Sequence, residues 1–119
     1  MNSRDDVIKF MIASDQNEKG YSSQSDLYFK LIREEFDELV KAYFEKDLVG
    51  IADGCADLKW VIEGLEHSLE LPQQEIWDEV ARSNLAKIGE NGKVSKRSDG
   101  KVLKPEGWTP PDIKSILKK

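Results

Sequence analysis

The sequence predicts an all-α fold, an antiparallel bundle of about four helices with a short C-terminal β-hairpin and an extended tail. Three observations carry that expectation. Apolar residues recur at three- and four-residue spacing through four long segments. Glycine and proline punctuate the chain where those segments stop. Alternation of the β type is confined to one short stretch near the C-terminus.

The first helix, Asp5 to about Ser14, places Val7, Ile8, Met11 and Ile12 on one face. Asp15 to Gln24 is polar, with Gly20 and two serines, and reads as a loop. Ser25 suits the N-cap of a long helix from Asp26 to about Lys46, because its hydroxyl can accept a free N–H of the first turn. Asp47 begins a third helix that runs to about Leu69. The Leu71-Pro72 step breaks it, and Pro72 fits the first turn of a fourth helix ending near Lys87. Gly89 and Gly92 stop the helical pattern. Lys93-Val94-Ser95 and Lys101-Val102-Leu103, with Asp99-Gly100 between them, form the expected hairpin. Pro105, Pro110 and Pro111 keep the end extended, with a last helical turn after Asp112. The 119 residues are expected to make a single domain, 1–119. A chain this short buries only part of its apolar surface, so homo-oligomerisation is expected to complete the bundle.

Charge and cysteine usage narrow the function. The net charge of −5 argues against stable nucleic-acid binding, since phosphate backbones attract basic surfaces. The balance is uneven: from Lys87 onward nine Lys or Arg face four Asp or Glu, so the end is basic and the body acidic. That division suits a metal–phosphate ligand, with carboxylates on the cation and lysines on the phosphates. Cys55 has no internal disulfide partner, and no apolar run is long enough to span a bilayer; a cytoplasmic protein is expected.

The chemistry concentrates in the second and third helices. Tyr28, Leu31, Ile32, Phe36, Leu39, Ala42 and Tyr43 form one broad face, and Glu35 projects into its middle, with Glu34 and Glu38 at the margin. A carboxylate on a core-facing stripe is costly unless it is paired or holds a metal. On the third helix Leu48, Ile51, Cys55, Leu58, Ile62, Leu65 and Leu69 read as the core stripe. Asp53 and Asp57 lie on another strip, with Trp60 and Gly64. Gly54 and Gly64 each cost a helix about 1 kcal/mol relative to alanine, and so suggest close approach of a neighbour. Asp53 and Asp57 are therefore expected to face Glu35 and Glu38 across an antiparallel pair, an oxygen-rich set suited to Mg2+ or Mn2+. Asn84 and Lys87 share a face at the end of the fourth helix and can grip phosphate oxygens. His67 is expected to be solvated and Cys55 to be core, which leaves no Ser–His–Asp or Cys–His arrangement.

The runs Glu34-Glu35-Phe36-Asp37-Glu38-Leu39 and Ala52-Asp53-Gly54-Cys55-Ala56-Asp57-Leu58 together resemble the split acidic signature of the all-α NTP pyrophosphatases. Ser83-Asn84-Leu85-Ala86-Lys87, Asp99-Gly100-Lys101-Val102-Leu103-Lys104-Pro105, Pro110-Pro111-Asp112 and the Phe10 to Gln16 segment are similar to the compact MazG-like branch of bacteria and phages. That superfamily also holds dimeric dUTPases and phosphoribosyl-ATP pyrophosphatases. One departure is clear: the glutamate usual three residues before the second-motif aspartate is here Gly54, and Asp53 is the candidate substitute.

The resemblance implies metal-dependent hydrolysis of a nucleoside triphosphate, expected to be a deoxynucleotide, to the monophosphate and pyrophosphate. Two or three Mg2+ or Mn2+ ions per site would be held by Glu34, Glu35, Glu38, Asp53 and Asp57, with Glu34, Glu35 and Glu38 catalytic. Asn84, Lys87, Lys101 and Lys104 would contact phosphates. Ile12, Asp15, Gln16 and Asn17 would meet the base, with Trp60 or Trp77 stacking on it. Acceptors on Asp15 and Gln16 suit the N–H groups of guanine, as in dGTP. A homodimer or a dimer of dimers is implied, in the cytoplasm of a bacterium or a phage-infected bacterium. Two other functions are compatible with the residues: a phosphoribosyl-ATP-type pyrophosphohydrolase, and a non-enzymatic acidic helical interaction module.

Overall fold

A computed structural model of the chain describes residues 2–118. The chain divides into two compact units, Met1–Leu71 and Pro72–Lys119.

The first unit holds helices α1 (Ser3–Ala13), α2 (Ser23–Phe44) and α3 (Leu48–Ser68). Asn2 caps α1 by accepting the Asp5 N–H, and Asp5 and Asp6 place negative charge where the helix dipole favours it. The start of α2 differs from the sequence expectation. Ser22 is the cap, and Ser25, expected in that role, closes a reciprocal capping box. The Ser22 N–H donates to Ser25 Oγ at 2.8 Å and the Ser25 N–H to Ser22 Oγ at 3.3 Å. Asp47 caps α3 by accepting the Gly50 N–H at 3.0 Å. Only Glu45, Lys46 and Asp47 separate α2 from α3, and Lys46 takes a left-handed φ of 56° to turn the chain. Such a short link makes the two helices antiparallel neighbours.

Their register can be followed residue by residue. Gln24 meets Ser68, Tyr28 meets Gly64, Leu39 meets Gly54 and Ala42 meets Gly50. A Cβ on Gly64 would overlap the Tyr28 ring, and one on Gly54 would come within 3.3 Å of Leu39 Cβ. The close approach expected from the two glycines is present. It also decides which face of α3 is covered. The buried positions of α3 are Gly54, Val61, Gly64 and Ser68, not the expected stripe from Leu48 to Leu69. Of that stripe Leu58 and Leu65 pack against the core, whereas Leu48 and Ile62 are exposed. Cys55, expected to be core, is exposed as well. Backbone proximity at the glycines decides which face is covered, so the face with more methyl groups is left open. On α2, Tyr28 and Ala42 are buried, while Phe36 and Tyr43 are exposed.

Helix α1 lies on α3 and completes the core of Val7, Met11, Tyr28 and Val61. The loop after α1 is stitched to the α2–α3 pair by polar contacts. The Gly20 N–H donates to the Ser68 carbonyl at 2.8 Å, and Gln24 Nε2 donates to Ser68 Oγ at 2.8 Å. The Glu18 N–H completes the chain at Gln24 Oε1, 3.0 Å away. Buried Gln24 and Ser68 are thereby satisfied.

The second unit holds α4 (Gln73–Leu85), for which Pro72 is the N-cap, one residue before the first turn where it is expected, and α5 (Ile113–Leu117), the helical turn expected after Asp112. Helix α4 ends at Leu85, two residues before Lys87, through tight turns from Lys87 N–H to the Asn84 carbonyl and from Ile88 N–H to that of Leu85. Where the hairpin is expected, two isolated antiparallel bridges occur, Ile88 with Val94 and Lys96 with Val102, and no sheet forms among the described residues. The Asp99-Gly100 turn is present, with Gly100 at φ +89° and the Lys101 N–H donating to Asp99 Oδ1. Arg82 pairs with Glu79 through two contacts and also donates to the Thr109 and Pro110 carbonyls. Among the described residues, no helix is long and apolar enough to cross a membrane.

Candidate active site

Glu35 lies on the packed side of α2, half-buried, with Leu31, Ile32 and Leu39 on the same side. The α2–α3 register brings Asp57 opposite it, and Glu38 and Asp53 flank the pair. Glu35 is pushed above its ordinary value first by burial, then by the charges of Glu38, Asp57 and Asp53. Asp57 is pushed up by burial, then by Asp53, then by Glu38. Glu38 lies within hydrogen-bonding reach of Glu35, and Asp53 within reach of Asp57. The buried Oε2 of Glu35 has no hydrogen-bond partner. Four acids thus share one strip with no protein cation paired to any of them among the described residues. Glu38 and Asp53 also line an open cavity of about 220 Å³ with Lys41, Ala42, Asp47, Gly50 and Gly54.

Whether a divalent ion suits this strip follows from its donors. Among the described residues no group of three or more His, Cys, Asp or Glu side chains stands close enough together to hold a metal ion. The four carboxylates nevertheless offer only hard oxygen donors, and an unpartnered buried oxygen beside mutually repelling acids is the condition that a cation relieves. In donor type, though not yet in closure, the strip suits a hard divalent cation. Glu34 stands apart from this group: it is exposed, and the charges acting on Glu35 come from Glu38, Asp57 and Asp53. Position 54 carries no donor, and Asp53 is the acid next to it.

In the second unit Lys87 Nζ donates to Asn84 Oδ1 at 3.0 Å, so the expected shared face exists. Lys104 Nζ and Lys87 Nζ both stand over the Trp108 ring. Lys101 belongs to the Asp99-Gly100 turn, where its carbonyl accepts the Arg97 N–H. Trp108 was not singled out by the sequence, although its place in a basic, proline-rich tail is the signal that marks it.

The expected base-binding residues lie at the end of α1 and in the loop after it. Ile12 is exposed, and Asp15 is exposed in a left-handed conformation with φ 59°. Gln16 Oε1 accepts the Tyr28 hydroxyl, which commits its acceptor to the fold. Trp60 packs edge-on against Phe10, with ring centroids 5.7 Å apart. Phe10 is the aromatic neighbour that sequence reasoning passed over; it lies off the Val7 and Met11 face and is half exposed. Trp77, the other expected stacking residue, is exposed on α4 in the second unit. His67 is partly covered, and burial lowers its pKa before Lys19 and Arg4 add to the effect.

A helical hairpin with opposed carboxylates, and no sheet among the described residues, is the frame of an all-α nucleotide pyrophosphohydrolase. Residues 7–84 match the phosphoribosyl-ATP pyrophosphohydrolase family, and the chain belongs to it, within the all-α NTP pyrophosphatase superfamily. It is therefore a pyrophosphohydrolase, a hydrolase acting on phosphoric anhydrides. The match includes all four carboxylates and Asn84, and stops before Lys87, Lys101, Lys104 and Trp108. Comparison with curated proteins gives no match.

Proposed function

We propose that the protein hydrolyses a nucleoside triphosphate, a deoxynucleotide with guanine as the leading base, to the monophosphate and pyrophosphate in a divalent-metal-dependent reaction. The observation that carries this reading is the Glu35–Asp57 opposition, with Glu38 and Asp53 beside it and an unpartnered oxygen on Glu35. Glu35, Glu38 and Asp57 would hold the first ion, and Asp53 would stand in for the glutamate missing at position 54. When bound, two or three such ions polarise phosphate oxygens and lower the pKa of a coordinated water.

The remaining work falls to the chain. Glu34, on the exposed side of α2 and one turn before Glu38, would accept the proton of the attacking water and orient it toward the α-phosphorus. A bond from that water oxygen to the α-phosphorus forms as the bond to the bridging oxygen breaks, and pyrophosphate leaves. Asn84, Lys87, Lys101 and Lys104 would hold phosphate oxygens, Lys as a point charge in each case. Asp15 supplies the free acceptor for guanine N–H groups, since the Gln16 acceptor is taken by Tyr28. Ile12 and Trp60 would cover the base.

A second substrate, phosphoribosyl-ATP, is favoured by the family to which residues 7–84 match. The similarity of the tail beyond Asn84 to the MazG-like branch favours a nucleoside triphosphate instead. Pyrophosphate release from a panel of ribo- and deoxynucleoside triphosphates and phosphoribosyl-ATP separates the two. Release from dGTP above the other triphosphates supports the proposal; release from phosphoribosyl-ATP alone replaces it.

The assembly is proposed to be a homodimer or a dimer of dimers. Phe29, Phe36, Val40 and Tyr43 make an exposed stripe on α2, and Leu48 and Ile62 are open on α3. Such stripes are covered in stable helical assemblies. Light scattering that gives the monomer mass at micromolar concentration would contradict this.

A further inference from the structure

Trp108 donates its indole N–H to the Ser83 carbonyl at 2.6 Å, which ties the ring to the last turn of α4. Two ammonium groups stand over that ring, Lys104 Nζ at 4.9 Å and Lys87 Nζ at 5.3 Å from its centroid. Both distances are within the range of a cation–π contact. Neither ammonium has an ion-pair partner among the described residues; Lys87 reaches only the neutral Asn84 amide. Lysine is flexible and strongly hydrated, so a lone surface lysine spends entropy to meet an anion. Two lysines already gathered on one anchored ring have spent much of it.

We propose that Trp108 is a positioning residue that holds Lys87 and Lys104 as a paired clamp for a polyphosphate anion. The anion's identity rests on the pyrophosphohydrolase reading given above, in which the substrate brings a triphosphate and leaves pyrophosphate. The clamp itself is complete within residues 83–108 of the second unit. Trp108 touches no substrate atom; it acts through the two lysines.

The test is calorimetric titration of the full chain with inorganic tripolyphosphate, in chelator and at low salt. Wild type should bind. Trp108→Leu should bind about tenfold more weakly, the size expected when two side chains must be ordered anew. Trp108→Phe, which restores a ring face, should recover part of the loss. In a Lys87→Ala/Lys104→Ala background, Trp108→Leu should change the remaining affinity less than about twofold, because nothing is left to position. Unchanged affinity in Trp108→Leu overturns the clamp, as does an equal loss with and without the lysines, which would mark general damage to the unit. If Trp108→Leu does not fold by circular dichroism, the Trp108→Phe comparison decides: affinity equal to wild type in both lysine backgrounds overturns it. A wild-type chain that releases pyrophosphate from nucleotides while the clamp test fails keeps the enzymatic reading and loses the clamp. Tripolyphosphate binding of the expected pattern, in a chain inert on every nucleotide, keeps the clamp and removes that reading.

Discussion

Glu35 and Asp57 oppose each other across the α2–α3 hairpin; burial pushes both carboxyls up, and the Asp57 charge adds to the cost of ionising Glu35. The glycine register makes this possible. Gly54, one turn from Asp57, lets Leu39 of α2 settle directly on the α3 backbone, and Glu35 follows one turn earlier on the same face. Under the proposed reaction, an ion held between the two acids is what would offset so unfavourable a pair.

Neutralising Glu35 should therefore stabilise the metal-free protein while removing its function. Glu35→Gln is expected to raise the thermal midpoint in chelator by about 4 °C, the shift that roughly 1 kcal/mol produces in a unit of this size. Added Mg2+, which should stabilise wild type, should leave the variant unmoved. Calorimetric melting with and without the ion checks both halves, and a lower midpoint for the variant in chelator would contradict the strain.

The raised values of Glu35 and Asp57 also set a pH dependence. Both groups bind protons more tightly folded than unfolded, so their contribution to stability is fully present below the ordinary values of 4.5 and 3.8. It is lost as pH rises through the raised folded values. Glu79 and Asp99 are lowered and act in the opposite sense, so the measurement is the difference between wild type and Glu35→Gln. Without metal, that difference should grow in the variant's favour from pH 4 upward. Binding of Mg2+ should release protons, since the ligands must ionise.

Gly64 and Gly54 should respond differently to alanine. At Gly64 the new Cβ overlaps the Tyr28 ring, which is buried and held by Gln16. Gly64→Ala should cost about 3 kcal/mol, because overpacking exceeds the helix-propensity gain of about 1 kcal/mol. At Gly54 the nearest atom is Leu39 Cβ at 3.3 Å, a contact that a small shift relieves. Gly54→Ala should change stability by less than about 1 kcal/mol. Urea unfolding of both variants checks the ranking.

Trp60 is expected to serve the base and not the reacting phosphates. Trp60→Leu should raise KM about tenfold with kcat nearly unchanged, as loss of a stacking surface does. Equal losses in kcat and kcat/KM would place Trp60 nearer the chemistry.

Much of this architecture was legible in the residues. The helices were visible in their spacing, and the Glu35–Asp57 opposition followed from one acid on an apolar face and two glycines on the facing strip. The packed face of α3 is not the one hydrophobic counting favours, with Leu48 and Ile62, because burial follows backbone approach at Gly54 and Gly64. Ser25 stands nearer the apolar run and so suits the cap by sequence, whereas Ser22 is the cap and the two close the capping box together. The hairpin region contains one good turn, at Asp99-Gly100, but too few alternating apolar residues on either side to extend a bridge into a ladder. The roles of Trp108 are long-range, to Ser83, Lys87 and Lys104, so no local spacing announces them and only its place in a basic, proline-rich tail marks it.

The most direct test of the carboxylate strip as the reaction centre compares wild type with Glu38→Gln for pyrophosphate release, with Mg2+ and with chelator. Glu38 is exposed and changes no packing, so the variant should fold like wild type. The account predicts metal-dependent release of pyrophosphate and a monophosphate by wild type, and a loss of at least about a thousandfold in folded Glu38→Gln. Release that survives chelator, or that survives in Glu38→Gln, would contradict it.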